Sequence, residues 1–166
     1  MNIDMTEYSL ILLTRENISK YESRMQPLIQ YDINFYDENY IYVKNNVVIA
    51  YALIKQSEVI YDKKNKYINK KKYEIKDTKK FCNDFNNVPL ECLYNLNRLQ
   101  DKQYIGAGIA FIKEILAIKK IIYLATVEDK LYKYYKKAGF KETNYFDMDI
   151  NGIYRKVLCW KQNNNN

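Results

Sequence analysis

Apolar positions recur along this chain in short stretches whose spacing alternates between the strand period of two and the helix period of 3.6. Ser9 to Thr14 (SLILLT) is an apolar run of strand length, and Asn17 behind it is placed to cap the next segment. Ile18, Tyr21, Met25, Leu28 and Ile29 then recur every three or four residues, which predicts an amphipathic helix over about 18–30, kinked or ended by Pro27. Tyr40 to Val43 and Val47 to Ile54 are β-rich runs joined by Asn45-Asn46, where Asn tolerates positive φ, so a hairpin is expected. Pro89 opens a run to Leu99 in which Leu90, Cys92, Tyr94 and Leu96 alternate with more polar neighbours, as in a half-buried strand.

Beyond it, Gly106 to Lys119 carries Ile109, Phe111, Ile112, Ile115, Leu116 and Ile118 on one broad helical stripe. Ile121 to Val127 is continuously apolar and β-branched, as a central strand covered on both faces requires. Glu128 and Asp129 put negative charge at the start of a further helix, whose stripe of Leu131, Tyr134, Tyr135 and Ala138 stops at Gly139. Tyr145 to Ile150 and Ile153 to Trp160 flank Asn151-Gly152, a type I′ hairpin signal. Residues 63–80, rich in Lys, Asn and Tyr, read as an exposed basic excursion with a short strand at Tyr73 to Ile75. The order is strand, helix, hairpin, excursion, strand, helix, strand, helix, hairpin, without internal repeat, and it predicts a mixed sheet with helices on its faces.

Length and composition narrow the picture. At 166 residues, 48% apolar, with 4 Gly and 2 Pro, a single globular domain over 1–162 is expected, followed by a disordered Asn tail at 163–166. The chain has no His, so Ser-His-Asp triads, Cys-His dyads and imidazole metal sites are excluded. Cys82, Cys92 and Cys159 are odd in number and far apart, fitting neither a zinc knuckle nor a CxxC pair, and Cys92 reads as a small buried hydrophobe. With no signal-peptide pattern and no apolar run of roughly 18 residues, a cytoplasmic, reduced protein without membrane spans is expected. The +7 charge attracts anionic partners, although Asn, Lys, Ile and Tyr are also what AT-rich codons supply.

Two short motifs carry the candidate chemistry. Gln103-Tyr104-Ile105-Gly106-Ala107-Gly108 follows a strand and opens a helix, where successive N–H groups, close approach at glycine and the helix dipole suit phosphate. It is neither a Walker loop nor a Rossmann GxGxxG. One strand later comes Tyr135, with Gly139-Phe140 closing its helix. Together and in this order, Gln103, Gly106 and Gly108 with Tyr135, Gly139 and Phe140 resemble the Gcn5-related N-acetyltransferase (GNAT) superfamily, most clearly from Pro89 to Trp160.

The resemblance implies a mixed, mostly antiparallel α/β fold with a central sheet of about six to seven strands and helices on both faces. It implies transfer of an acetyl group from acetyl-CoA to an amine by direct attack, with the CoA pyrophosphate on the main chain of residues 103–108. The pantetheine arm then maps to the backbone of Leu96 and Arg98; an apolar residue is usual at the latter, and Leu99 follows it. Tyr135 falls on the tyrosine that protonates the departing thiolate, and Glu91 is the candidate base by position. The family's frequent Asn early in the last helix is replaced by about Glu128. The acceptor amine is left open. The lysines of 63–80, among them Lys70, Lys71 and Lys72, suit RNA or another polyanion, as in the family's toxins that acetylate aminoacyl-tRNA. An inactive CoA- or nucleic-acid-binding module on the same fold is the alternative, and the resemblance allows a homodimer through a hairpin edge.

Overall fold

A computed structural model of the chain describes residues 7–56, 91–126, 129–148 and 154–163. The elements run β1 (Tyr8–Leu12), α1 (Ile18–Tyr21), a 3-10 turn (Glu22–Arg24), β2 (Glu38–Lys44), β3 (Val47–Gln56) and β4 (Glu91–Arg98). A second 3-10 turn (Lys102–Tyr104), α2 (Ala107–Ala117), β5 (Ile121–Thr126), α3 (Asp129–Ala138), β6 (Lys141–Met148) and β7 (Tyr154–Lys161) complete the series. The strands form one 7-stranded, mostly antiparallel sheet in the order β1-β2-β3-β4-β5-β7-β6; β1-β2, β2-β3, β5-β7 and β7-β6 are antiparallel pairs, and β4-β5 is parallel. Contacts divide the chain into two units, one of residues up to 55 with 93–118, the other of 56–92 with residues from 119 on.

In the first unit the sheet alternates as its sequence does. Ile41, Val48, Tyr51 and Leu53 turn to one face and bury Tyr21, Met25, Leu28 and Ile29. The opposite face presents Tyr42, whose ring stacks on Tyr8 at 4.9 Å and on Phe111 of α2 at 5.2 Å. Ala50 and Ala52 pair with Tyr42 and Tyr40 across the β2-β3 ladder, so small residues alternate with large ones beneath the helix. Asn45 and Asn46 both adopt positive φ, 50° and 63°, as in a type I′ turn, and join the two strands of the expected hairpin.

The expected helix over 18–30 is mostly absent. Tyr21, Met25, Leu28 and Ile29 are buried and Ile18 partly so, yet the helix proper ends at Tyr21 and a 3-10 turn follows before Pro27. Asn17 caps nothing forward. Its Oδ1 accepts the Thr14 N–H at 2.8 Å and its Nδ2 donates to the Leu12 carbonyl at 3.0 Å, so the side chain closes the preceding turn.

In the second unit β5 is buried along almost its whole length, as its apolar run predicts. Ile121 and Tyr123 share one face with Val157 and Cys159, against which Cys92 and Ala125 pack. β6 and β7 form the expected hairpin; its Asn151-Gly152 turn lies outside the described residues, as do the excursion 63–80, the strand at 73–75 and residues 164–166.

Candidate active site

The QxxGxG hexamer divides into two halves with different work. Asp101 caps the 3-10 turn, its carboxylate accepting the Gln103 N–H at 3.1 Å and the Gln103 side-chain amide at 2.9 Å. The backbone hydrogen bond from Gln103, then its side-chain amide, hold the Asp101 carboxyl below its ordinary range. The Tyr104 and Ile105 N–H groups bond back to the Asp101 and Lys102 carbonyls at 3.0 and 3.3 Å, and the buried Tyr104 ring anchors the turn.

Gly106 then takes the left-handed conformation (φ 86°, ψ −15°), which costs a residue with a Cβ about 1–2 kcal/mol. It is the N-cap of α2, and its carbonyl accepts the Ala110 N–H at 3.2 Å. The N–H groups of Ala107, Gly108 and Ile109 therefore belong to the first turn and have no acceptor within the helix, and no side chain caps them. These donors, at the positive end of an 11-residue helix, can receive an anion.

β4 supplies a second open feature. Its ladder to β5 consists of Glu91 with Ile122 and Cys92 with Tyr123, and stops there. Leu99, next after the strand, donates its N–H to the Ile49 carbonyl of β3 at 2.9 Å. Since N–H and C=O directions alternate residue by residue, Leu96 and Arg98 present theirs to the other edge, where the described residues offer no strand partner. The side-chain alternation differs from expectation, because Leu93 is buried while Tyr94 is 62% exposed. Tyr94 instead takes the Lys55 ammonium over its ring at 4.1 Å.

Glu91, the candidate base, is ion-paired. The Lys119 ammonium reaches its two carboxylate oxygens at 3.0 and 2.9 Å, with the lysine side chain 8% exposed and the glutamate's 26%. Lys119 is a residue that sequence reading missed, as it stands in a Lys119-Lys120 doublet that looks like an ordinary solvated helix end.

The second motif is a helix C-cap in full. The Phe140 N–H returns to the Tyr135 carbonyl and the Gly139 N–H to the Lys136 carbonyl, both at 3.1 Å, around Gly139 at φ 109°. This is the Schellman pairing, and its customary apolar contact is made by Tyr135 and Phe140, whose rings meet edge to face at 5.8 Å. Tyr135 is 8% exposed and also packs edge to face on Tyr134 at 5.6 Å. A Cβ on Gly139 would lie 3.4 Å from Trp160 Cδ1, an ordinary contact, so the constraint is backbone conformation. Gly139→Ala should cost about 1–2 kcal/mol, read as a fall in Tm of roughly 2–8 °C, and Gly139→Asn should cost less because Asn tolerates this conformation.

The Cys159 thiol does not compete for a catalytic role. Burial pushes the Cys159 thiol up to about 12, which keeps it protonated and inert. Among the described residues no group of three or more His, Cys, Asp or Glu is placed to hold a metal ion, and no helix is long and apolar enough to cross a membrane.

No protein-family model and no curated protein matches the sequence. Solved structures do. The chain is similar to Arabidopsis thaliana Naa50 in complex with the bisubstrate analogue CoA-Ac-MVNAL, at TM-score 0.55 and 14% identity, covering 94% of this chain and 99% of that one. A GNAT family acetyltransferase from Elizabethkingia anophelis with acetyl-CoA bound matches at TM-score 0.50 and 13% identity, over 94% and 99% of the two chains. The chain has the GNAT fold. The Escherichia coli ribosomal-protein-S18-alanine N-acetyltransferase shares it at TM-score 0.53 and 12% identity, over 95% of this chain and 97% of that one. On the GNAT fold of this chain, the QxxGxG hexamer is the link from β4 to α2 in the first unit, and Tyr135, Gly139 and Phe140 form the cap of α3 in the second. The lysines of 63–80, expected to meet a polyanion, lie outside the described residues.

Proposed function

We propose that the protein is an acetyl-CoA-dependent N-acetyltransferase that moves an acetyl group to a primary amine by direct attack, in a reduced cytosolic setting. The observation that carries this reading is the start of α2, where a left-handed glycine precedes N–H groups that no side chain caps. Such donors bind phosphate oxygens through main chain and dipole, and a glycine lets the ligand close on the backbone. Two structures of the same fold hold a CoA analogue and acetyl-CoA, which favours the same cofactor here.

In this reading Gly106, Ala107 and Gly108 receive the pyrophosphate, while Gln103, Tyr104 and Ile105 build the turn that aims them. The main chain of Leu96 and Arg98 takes the pantetheine arm in the manner of an added strand. Acetyl-CoA supplies the thioester carbonyl. Tyr135 gives its phenolic proton to the thiolate as the C–S bond breaks and the N–C bond forms, and Glu91 accepts the proton shed by the amine, directly or through water. Lys119 fixes the Glu91 carboxylate at the start of β4. We read residues 1–162 as one catalytic domain.

Release of CoA thiol on adding primary amines tests the reading, and no release with any amine would overturn it. Glu91→Gln should lower kcat about 10²-fold near neutral pH and recover toward wild type as pH rises and the free amine loses its own proton. A Glu91 that only anchors Lys119 would instead give a lower Tm and an unchanged pH profile.

A further inference from the structure

Two consecutive lysines before β5 take opposite courses. Lys120 is exposed, whereas Lys119 is buried and its Nζ bridges both Glu91 carboxylate oxygens, at 3.0 and 2.9 Å. The main chain around the pair is pinned. Gln162 donates its N–H to the Lys120 carbonyl at 2.8 Å, and Glu91 pairs with Ile122 in the β4-β5 ladder. Lys119 therefore reaches Glu91 from a fixed backbone, and its long side chain spends its freedom on that one carboxylate.

The surroundings leave the charge of Glu91 to this one partner. Across the ladder stand Ile122 and then Trp160, with Leu124 and Leu158 beyond them, so the flanking strands put no charge on this face. Cys92, Tyr123 and Cys159 lie on the opposite face. A Cβ on Gly139, at the end of α3, would meet Trp160; this helix brings the buried Tyr135 phenol and the half-buried Tyr134, and its Lys136 and Lys137 are exposed, as is Lys161 of β7. Among the described residues Lys119 is the cation that pairs with Glu91. Both partners are largely withdrawn from water, where a charge acts more strongly than at the surface.

Resting on the reading of Glu91 as the base, we infer that Lys119 is a positioning residue that makes the site admit its acceptor as the free amine and not as the ammonium. An alkylamine in neutral water is protonated, with a pKa of about 10. A carboxylate without a partner would hold that ammonium by a charge-assisted hydrogen bond and keep its lone pair tied to a proton, unable to attack. With Lys119 across both oxygens, Glu91 offers a second cation little gain, and the Lys119 charge repels it. The ammonium proton is left in solvent and the neutral nitrogen attacks the thioester carbonyl. A carboxylate has about four acceptor sites, two of them taken by Lys119, so Glu91 can still receive the proton that the nitrogen sheds as the N–C bond forms. The departing thiolate takes its proton from Tyr135, as above.

The test follows kcat and KM for n-butylamine or 2-phenylethylamine, whichever releases CoA faster, between about pH 7 and the pKa of the amine near 10, at saturating acetyl-CoA. In the full-length wild type, KM should rise about tenfold for each unit of falling pH while kcat stays level, because only the free amine binds. Lys119→Met should lower kcat and KM together, about tenfold or more near neutral pH, with kcat/KM changed less than about threefold and the slope of KM with pH lost, because the ammonium is then held unproductively. Lys119→Arg, which keeps the charge and can span both oxygens, should restore the wild-type values. A Lys119 that only supports the fold would lower Tm and kcat/KM and leave the slope of KM in place. A wild-type KM that stays level with pH overturns the inference without any variant, so failure of Lys119→Met to fold does not shelter it. Either contrary result, seen with amines that are turned over, sinks the inference and leaves the transferase. No CoA release with any primary amine overturns the transferase reading, and the inference falls with it.

Discussion

Tyr135→Phe lowers kcat by about 10²–10⁴-fold, the span of a lost general acid, while the Kd for acetyl-CoA changes by no more than about twofold. The substitution is informative because the ring also has a structural place. As the fourth residue from the end of α3 it makes the apolar contact of the C-cap, edge to face with Phe140 at 5.8 Å. Phenylalanine keeps that contact and the backbone hydrogen bonds around Gly139, and it removes only the hydroxyl. Tyr135→Ala would instead open a cavity beneath the cap at a cost of about 3–5 kcal/mol, mixing loss of fold with loss of chemistry. Single-turnover kinetics on the Phe variant, with Tm as the control, therefore read the hydroxyl alone. An unchanged kcat would reduce Tyr135 to a capping residue.

Gly106→Glu weakens acetyl-CoA binding by at least about 100-fold, or about 2.7 kcal/mol. Backbone strain at φ 86° is present with and without ligand, so it lowers stability and largely cancels from affinity. The loss comes from placing a carboxylate where the phosphate is to sit. Two like charges about 4 Å apart at an effective dielectric of about 20 repel by about 4 kcal/mol, enough to account for it. Gly106→Ala separates the terms: its Tm should fall as far as that of Gly106→Glu through the shared strain, while its affinity should fall much less. Equal affinity losses in the two variants would mean that the turn is disturbed as a whole.

Local patterns carried most of the fold. Asn45-Asn46 encoded its turn because two adjacent residues tolerant of positive φ leave few other conformations between β runs. The stripe of α2 and the apolar run of β5 were equally plain, since burial of one face or both writes itself into a few consecutive residues. The segment 18–30 misled because its apolar spacing reports burial, and burial against Tyr51 and Leu53 was reached by turns instead of helix. In β4 the alternation pointed to Tyr94 as buried, whereas Lys55 on the adjacent strand draws its ring outward and Leu93 fills the core.

The candidate site was legible where it is made of backbone. Gly106 and Gly139 both adopt the positive φ that makes glycine the residue of choice, so the two motifs mark real conformational demands. Long-range side-chain pairing left no such trace. Lys119 meets Glu91 across 28 positions, and Asn95 meets Tyr31 across 64, with nothing local to announce either contact. A cavity lined by Met25, Ile29, Tyr31 and Phe35 likewise escaped notice, because its lining is drawn from a short helix and irregular chain where no period holds.

Isothermal titration of acetyl-CoA into the folded wild-type chain tests the central claim most directly. Binding near 1:1 with a Kd in the micromolar range, competed by CoA and abolished in Gly106→Glu, is the expected result. A wild-type protein that unfolds cooperatively on heating yet takes up no acetyl-CoA at millimolar concentration would contradict it.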